Sequence, residues 1–441
     1  MKNLKLFLVC IVVFSTTLMS FGTDQDYYLG DVQQSQVKWT GVAVSSDNRI
    51  FASYPRGNCI PFSVGEIVEG EVVPYPNTDW NNWNMSVTPN DHFICVQSIY
   101  MDKQNHLWIL DAGCIYGSML PCGAKLVKVD LETDSIIQVI YFTAPVVRDS
   151  CFLNDVRVDT DRGYAYITDS GIGAIIVVNL ATGESHRLLE GNVSVLSEEI
   201  ALTVNGQVIN WKGHVNGLAL TQNGDYLYYK ALTSYSLYRI PTEYLRDTTY
   251  YPCTVAAAVQ LVCSVVPSDG MEFDMHGNLY FTGIEDNSIY YLTPGLQFET
   301  AIVDSRLKYP DSFSITQNND IYISTSRTLY GPGTYFIFKL KEDPSGIDSF
   351  TENGASGIQL TNFPNPFQNS TTIQYQLSTS ENVDLRIVDV MGKEVQCLVN
   401  QQQEAGTYEI EFDGNLLSNG VYFCILRTKT QKEIHKIVVE K

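Results

Sequence analysis

Asn154 with Asp155, Asn216, Asp269 and Asp311, together with Gln97 and Thr40, each open an apolar stretch that runs into a turn rich in Asn, Asp and Gly. Oxygen-bearing side chains gathered in one cleft suit Ca²⁺ or another divalent cation, or a polar small molecule. The same residue types ahead of a strand also cap turns by bonding their own backbone. Which chemistry holds depends on whether the fold brings them together. Of the histidines, His214 stands two residues before Asn216 and is placed to join them, while His106 and His276 occupy matching turn positions and read as solvated. There is no GxSxG elbow, phosphate-binding Walker loop or HExxH pair in the sequence. That removes the common serine-hydrolase, nucleotide and zinc-protease readings.

The elements that carry these residues form an internal repeat. "TGVAVSSDNRIFASYP", "VQSIYMDKQNHLWILDAG", "LNDVRVDTDRGYAYITDS", "VNGLALTQNGDYLYYKAL", "VVPSDGMEFDMHGNLYFTG" and "PDSFSITQNNDIYISTS" each read as strand, tight turn and strand with a central aromatic. Period-2 alternation around Gly- and Asn-rich turns is hairpin chemistry. The aromatics Phe51, Trp108, Tyr166, Tyr228, Tyr280 and Tyr322 mark six copies, and counting back eleven or twelve residues from each lands on the polar residues above. Further strand-like segments lie between the copies and amphipathic helices are scarce. The expected fold is therefore all-β, a six-bladed β-propeller, with the innermost strand of each blade along a central channel. The polar residues would then form a ring at one channel mouth, with Gly217 and Gly270 allowing close backbone approach.

With 49 acidic against 28 basic residues, the net charge of −21 argues against nucleic acid and anionic membranes as partners. Residues 1–22 carry two lysines, an apolar run and small residues near their end, the pattern of a secretory signal. No other segment is long and apolar enough for a membrane span. Ten cysteines without a CxxC read as structural, with Cys114/Cys122 and Cys253/Cys263 as disulfide candidates and Cys59, Cys95 and Cys151 as sources of a third bridge. "TDWNNWNMS" and "SYSLYRI" offer aromatic walls for a pocket. Beyond Lys341 the composition turns polar and Gly/Ser/Pro-rich through 342–357, as a linker does. Alternation in 358–441 then reads as a small antiparallel β-sandwich with turns at Gly392, Gly406 and Gly420.

The motifs "VQSIYMDKQNHLWILDAG", "LNDVRVDTDRGYAYITDS" and "VNGLALTQNGDYLYYKAL" resemble the major royal jelly protein / Yellow family over about 35–340. That resemblance implies a six-bladed propeller and a family containing pigment-pathway proteins and secreted binders of small aromatic amines. A more distant similarity, to gluconolactonase/regucalcin propellers, rests on Leu153-Asn154-Asp155, Asn216-Gly217-Leu218 and Asp269-Gly270-Met271. It implies Asn216 and Asp269 as metal ligands, with Asn154 on metal or substrate. Those enzymes draw a glutamate from the first blade where this chain has Thr40-Gly41. In the tail, "FPNPF", "DVMGKEV", "GTYEIEFDGNLLSNGVYF" and the terminal "KIVVEK" resemble the C-terminal sorting domain of type IX secretion cargo. The resemblance implies Sec passage, outer-membrane export and the type IX machinery as partner.

The expected organisation is a signal at 1–22, a propeller at 23–341, a linker at 342–357 and a sorting domain at 358–441. The expected role is binding, or slow transformation, of a small polar or aromatic molecule at the channel mouth. A divalent-metal lactonase and a surface interaction protein without a small ligand are the alternatives.

Overall fold

The computed structural model describes residues 27–342 and 360–441, apart from 57–59, 61, 116, 210–211, 378, 389–393, 416 and 429–431. The signal segment, Cys10, Cys59, Gly392 and linker residues 343–357 lie outside the described residues. The chain divides into two compact units, Met1–Asp343 and Pro344–Lys441.

In the first unit every sequence repeat supplies the first two strands of a four-stranded antiparallel sheet. The first strands are Val42–Val44, Val96–Met101, Leu153–Asp159, Val215–Leu220, Met271–Phe273 and Pro310–Ile315. Each touches the first strand of the next sheet, and Pro310–Ile315 touches Val42–Val44, so the order closes on itself. Hydrogen bonds from the Val42 and Val44 amides to Ser312 Oγ and Ser314 Oγ, at 3.1 and 2.9 Å, seal that junction.

Sheets packed face to face bury both faces of their inner strands, which is why Leu279–Gly283 and Ile321–Thr325 are buried throughout. The marker aromatics sit there: Phe51, Trp108, Tyr166, Tyr280 and Tyr322 are buried. Tyr228 differs. It stays half-buried and meets Phe273 of the next sheet edge-on at 5.1 Å, while its neighbour Tyr229 takes the core place.

The sixth sheet takes its outer strand from the beginning of the chain. Tyr27–Ser35 pairs antiparallel with Tyr335–Glu342 and so joins the two ends of the unit. Among the described residues, helix is limited to the short segments Thr78–Asn81, Thr242–Arg246 and Pro252–Ala257 and a 3₁₀ turn at Val193–Val195.

Of the disulfide candidates, Cys114, Cys122, Cys253 and Cys263 stand as free thiols in this structure. Cys253 faces solvent from its short helix, whereas Cys263 packs onto the apolar cluster around Leu237 and Phe273. Cys114 is buried and Cys122 takes a left-handed turn conformation.

The second unit holds a three-stranded sheet (Leu360–Phe363, Ser370–Leu377, Gly406–Asp413) and a four-stranded one (Glu394–Gln403, Glu381–Val388, Gly420–Arg427, Lys432–Val439). Both contribute to one apolar cluster that includes Ile373, Tyr375, Leu385, Phe412, Leu426 and Ile437. Two motifs far apart in sequence meet here. Phe367 exchanges backbone hydrogen bonds with Val438 and Glu440 at 2.9 Å, and Asn365 Oδ1 accepts from the Val438 amide at 2.8 Å.

Candidate functional site

The polar residues that open the first strands do not sit in regular ladder. The register shifts at Val96/Ser98, Leu153/Val156, Val215/Leu218 and Pro310/Phe313, leaving Gln97, Asn154, Asn216 and Asp311 inside bulges. A bulge frees a residue from the ladder and re-aims its side chain. The lost backbone pairing is supplied by hydroxyls two residues past the marker aromatics. Ser53 Oγ accepts from the Gly41 amide, Thr168 Oγ1 from Asp155, Thr282 Oγ1 from Asp269 and Gly270, and Ser324 Oγ from Ser312, at 2.9 to 3.2 Å. Several of these hydroxyls also donate to the next sheet: Thr168 to the Asn216 carbonyl at 2.8 Å, Ser53 to the Gln97 carbonyl at 3.3 Å, and Ser324 to the Thr40 carbonyl.

Close packing of the sheets requires glycine at two of these starts. A Cβ on Gly217 would stand 2.5 Å from the Asp269 carbonyl oxygen, and one on Gly270 would stand 2.4 Å from that of Asp311.

Thr40, Gln97, Asn154, Asn216, Asp269 and Asp311 thus line one cavity of about 510 Å³ at one end of the axis. All six sheets contribute to it. Two expected members are elsewhere. Asp155 turns down the axis, where its Oδ1 accepts from Ser98 Oγ, Arg157 Nη1 and the Val156 amide at 2.8 to 2.9 Å. His214 turns behind the wall: its Nδ1 accepts from the Ser197 amide at 3.0 Å, and burial lowers its proton affinity. Both are spent on holding the structure.

The cavity also holds residues that strand periodicity did not mark, chiefly Lys38, Arg56 and Tyr309. Tyr309 is buried, adopts φ of 55°, and turns its hydroxyl to the Asp269 carboxyl. Backbone strain of this kind concentrates at functional sites.

Asp269 and Asp311 are half-buried and line the cavity. Burial, reinforced by the Asp311 charge, pushes the Asp269 carboxyl well above its usual range, against the pull of Tyr309 and Lys38. Burial likewise pushes Asp311 up to about 6, opposed by Ser326 and Lys38. Both carboxyls therefore hold their protons to higher pH than free ones do, burial being the largest cause.

Lys230 occupies the place in the fourth sheet that Ser53, Thr168, Thr282 and Ser324 hold in theirs. It is fully buried, donates to the Ala231 carbonyl at 2.9 Å, and burial lowers it to about 7.

The donor set does not fit a divalent cation well. Thr40, at the place of the missing glutamate, donates its hydroxyl to the Gln97 carbonyl at 3.0 Å. Its neighbour Lys38 brings an ammonium whose charge reaches both Asp269 and Asp311. Among the described residues, no three His, Cys, Asp or Glu side chains gather into a metal-holding group. The Lys38 charge offsets part of that of the two carboxyls, and Ca²⁺ prefers six to eight oxygen ligands.

Below this cavity the axis is blocked. Arg157 reaches from the third sheet to the fifth, with Nε 2.7 Å from Glu272 Oε2 and Nη1 2.8 Å from Asp155 Oδ1, its Nη2 donating to the Met271 carbonyl at 2.7 Å. Its guanidinium lies 5.3 Å from the Tyr100 ring centroid. Burial alone would lower Arg157, but Asp155 and Glu272 carry it above its usual range.

Antiparallel sheets closed in a ring around an axial cavity define a β-propeller. The chain belongs to the major royal jelly protein family, whose model matches residues 94–326, more than half of its length. Residues 361–440 match the secretion system C-terminal sorting domain, so the chain is type IX cargo exported to the cell surface or beyond.

Relatives from Apis mellifera include major royal jelly protein 3, 24% identical over 46% of this chain and 39% of its own length. Major royal jelly protein 8 is 24% identical over 58% and 61% respectively. The chain thus spans less than two thirds of the length of these relatives. Solved structures similar to it include a streptogramin B lyase, at 12% identity and TM-score 0.44 over 71% of this chain and 97% of that one. A gluconolactonase from Xanthomonas campestris gives 14% and 0.45 over 71% and 89%. Likeness at this level says nothing of function.

Proposed function

We propose that this chain is a secreted bacterial six-bladed propeller, delivered by a signal at 1–22 and a sandwich-shaped sorting tail. It binds, or slowly transforms, a small polar or aromatic molecule at the open mouth. The observation that carries this reading is the convergence of Thr40, Gln97, Asn154, Asn216, Asp269 and Asp311 on one cavity. Six sheets spending their strand starts on one concave polar surface is more than turn capping needs. The half-buried Asp269 and Asp311 carboxyls, with Tyr309 beside Asp269, supply directional contacts for a ligand.

Thermal melts of the full chain against a panel of small polar and aromatic molecules test this. A ligand at a hundredfold excess over its dissociation constant should add about 2.7 kcal/mol. That shift should vanish in the Asn216→Ala/Asp269→Ala double variant; a shift that survives it places the ligand elsewhere.

A divalent-metal lactonase is the second reading, favoured by Asn154, Asn216 and Asp269 sharing one wall. Lys38 and the missing first-sheet glutamate weigh against it. A melt that rises with Ca²⁺ and falls with chelator, only while Asp269 is present, would promote it over the first.

A further inference from the structure

The open mouth carries its charges on separate walls. Arg56 follows the second strand of the first sheet and lines the cavity at the seam with the second sheet. Its Nε donates to the Ile94 carbonyl at 2.6 Å and its Nη2 reaches the Phe93 carbonyl at 3.5 Å. The guanidinium lies over the Trp83 ring at 4.9 Å. Asp111, whose charge reaches Arg56, is itself ion-paired with Lys125 at 3.0 Å, both side chains fully buried. Arg56 thus has carbonyl and aromatic neighbours but no carboxylate of its own among the described residues. A half-buried guanidinium in that state has N–H groups left over in the fork geometry that matches a carboxylate.

By the cyclic order of the sheets, the seam holding Arg56 stands opposite the seam between the fourth and fifth, where Asp269 begins. There the cavity offers Asp269 and Asp311, with the Tyr309 hydroxyl against Asp269 and Lys38 as a partial counter-charge. One wall accepts an anion; the other takes a group that donates hydrogen bonds.

We infer that the ligand of this mouth is amphoteric, an amino-acid-like molecule whose carboxylate rests on Arg56 while its ammonium or hydroxyl group meets Asp269, Asp311 and Tyr309. This rests on the mouth being a small-molecule site, as proposed above, and adds the ligand's charge pattern. A cavity of about 510 Å³ accommodates a single such molecule with an aromatic side chain.

Three probes of one skeleton separate the two walls: L-phenylalanine, 2-phenylethylamine and 3-phenylpropionate. They would be titrated into the full chain by calorimetry. Tryptophan fluorescence would serve as a local readout, because Arg56 covers Trp83. Phenylalanine should bind at least about tenfold tighter than either analogue, one charge-assisted contact's worth. Arg56→Gln should reduce phenylalanine to the affinity of phenylethylamine, leave phenylethylamine unchanged, and abolish the Trp83 response that Trp83→Phe also removes. Arg56→Lys should restore part of the loss, and equal melting temperatures would exclude misfolding as the cause. Asp269→Asn should weaken the two amine-bearing probes and spare phenylpropionate. If phenylethylamine matches phenylalanine and both depend on Asp269, the mouth is a ligand site but the amphoteric assignment is wrong. If no probe binds, the assignment falls together with the reading it rests on.

Discussion

The two ends of the axis are built from the same repeat and finish differently. At the open end the strand starts bulge, and their polar side chains face a cavity of about 510 Å³. At the other end only about 90 Å³ remains. There Lys103 Nζ reaches the Gln222 carbonyl at 2.6 Å, and Gln317 Nε2 reaches the Lys103 carbonyl at 2.9 Å, straps across the axis from second to fourth and sixth to second sheets.

The polar residues of that closed end are consumed locally. Asp102 Oδ1 accepts from the Gln104 and His106 amides, Asp274 Oδ1 from His276 and Asn278, Ser45 Oγ from Arg49, and Thr316 Oγ1 from Asp320. An Asp that caps its own turn has no chemistry to offer; Asp269 and Asp311, at strand starts that line the cavity, do. The contrast shows that position relative to the hairpin, not residue type, separates structural from available carboxylates.

The strongest way to break this contrast is at the sheet junctions of the open end. Gly270→Ala should cost about 3 kcal/mol or more, because the new Cβ meets backbone rather than a movable side chain. Gly277→Ala, in a turn of the closed end with φ of +83° and no backbone in the way, should cost only about 1 kcal/mol. Equal losses in urea unfolding would contradict the packing argument.

Of comparable size is the partition between the ends. Arg157→Met strands Asp155 and Glu272 in the axis and should destabilise by about 3–5 kcal/mol. Adding Asp155→Asn and Glu272→Gln should recover much of that loss.

The carboxyl pair predicts a pH dependence. Asp269 and Asp311 keep protons in the folded chain at pH values where the unfolded chain, near 3.8, has released them. The folded state then binds more protons, so this contribution to stability is present below about pH 4 and is lost as pH rises through about 6. Asp311→Asn should raise the melting temperature at pH 7 and flatten its fall between about pH 4 and 6. An unchanged pH profile would mean the pair is solvated. The smallest effect belongs to the strap: Lys103→Ala at the closed end should cost about 1 kcal/mol or less and leave ligand affinity at the open end untouched.

Much of the ring was legible in sequence because two periodicities coincide in it. Alternation fixes which residues face inward, and the marker aromatics fix where each hairpin stands. Together they locate Thr40, Gln97, Asn154, Asn216, Asp269 and Asp311 without knowledge of any contact.

Asp155 and His214 went astray because a bulge turns one of two adjacent polar residues away and a loop amide claims the other's imidazole. Lys38, Arg56 and Tyr309 lie in connections, where neither period operates. Tyr27–Ser35 lacks the turn that marks the repeat, and its partner strand is some three hundred residues away in sequence, so its closing role is visible only in the structure. The hydroxyls of Ser53, Thr168, Thr282 and Ser324 did carry a signal, a constant offset of two residues from the aromatics, that composition alone does not reveal.

The most direct test of the account is crystallographic fragment screening of the full chain with small polar and aromatic fragments. The account predicts bound fragments in the open mouth, within hydrogen-bonding reach of Asp269, Asp311 or Tyr309, and none past Arg157. Fragments gathered at the strapped end, with the open mouth empty, would contradict it.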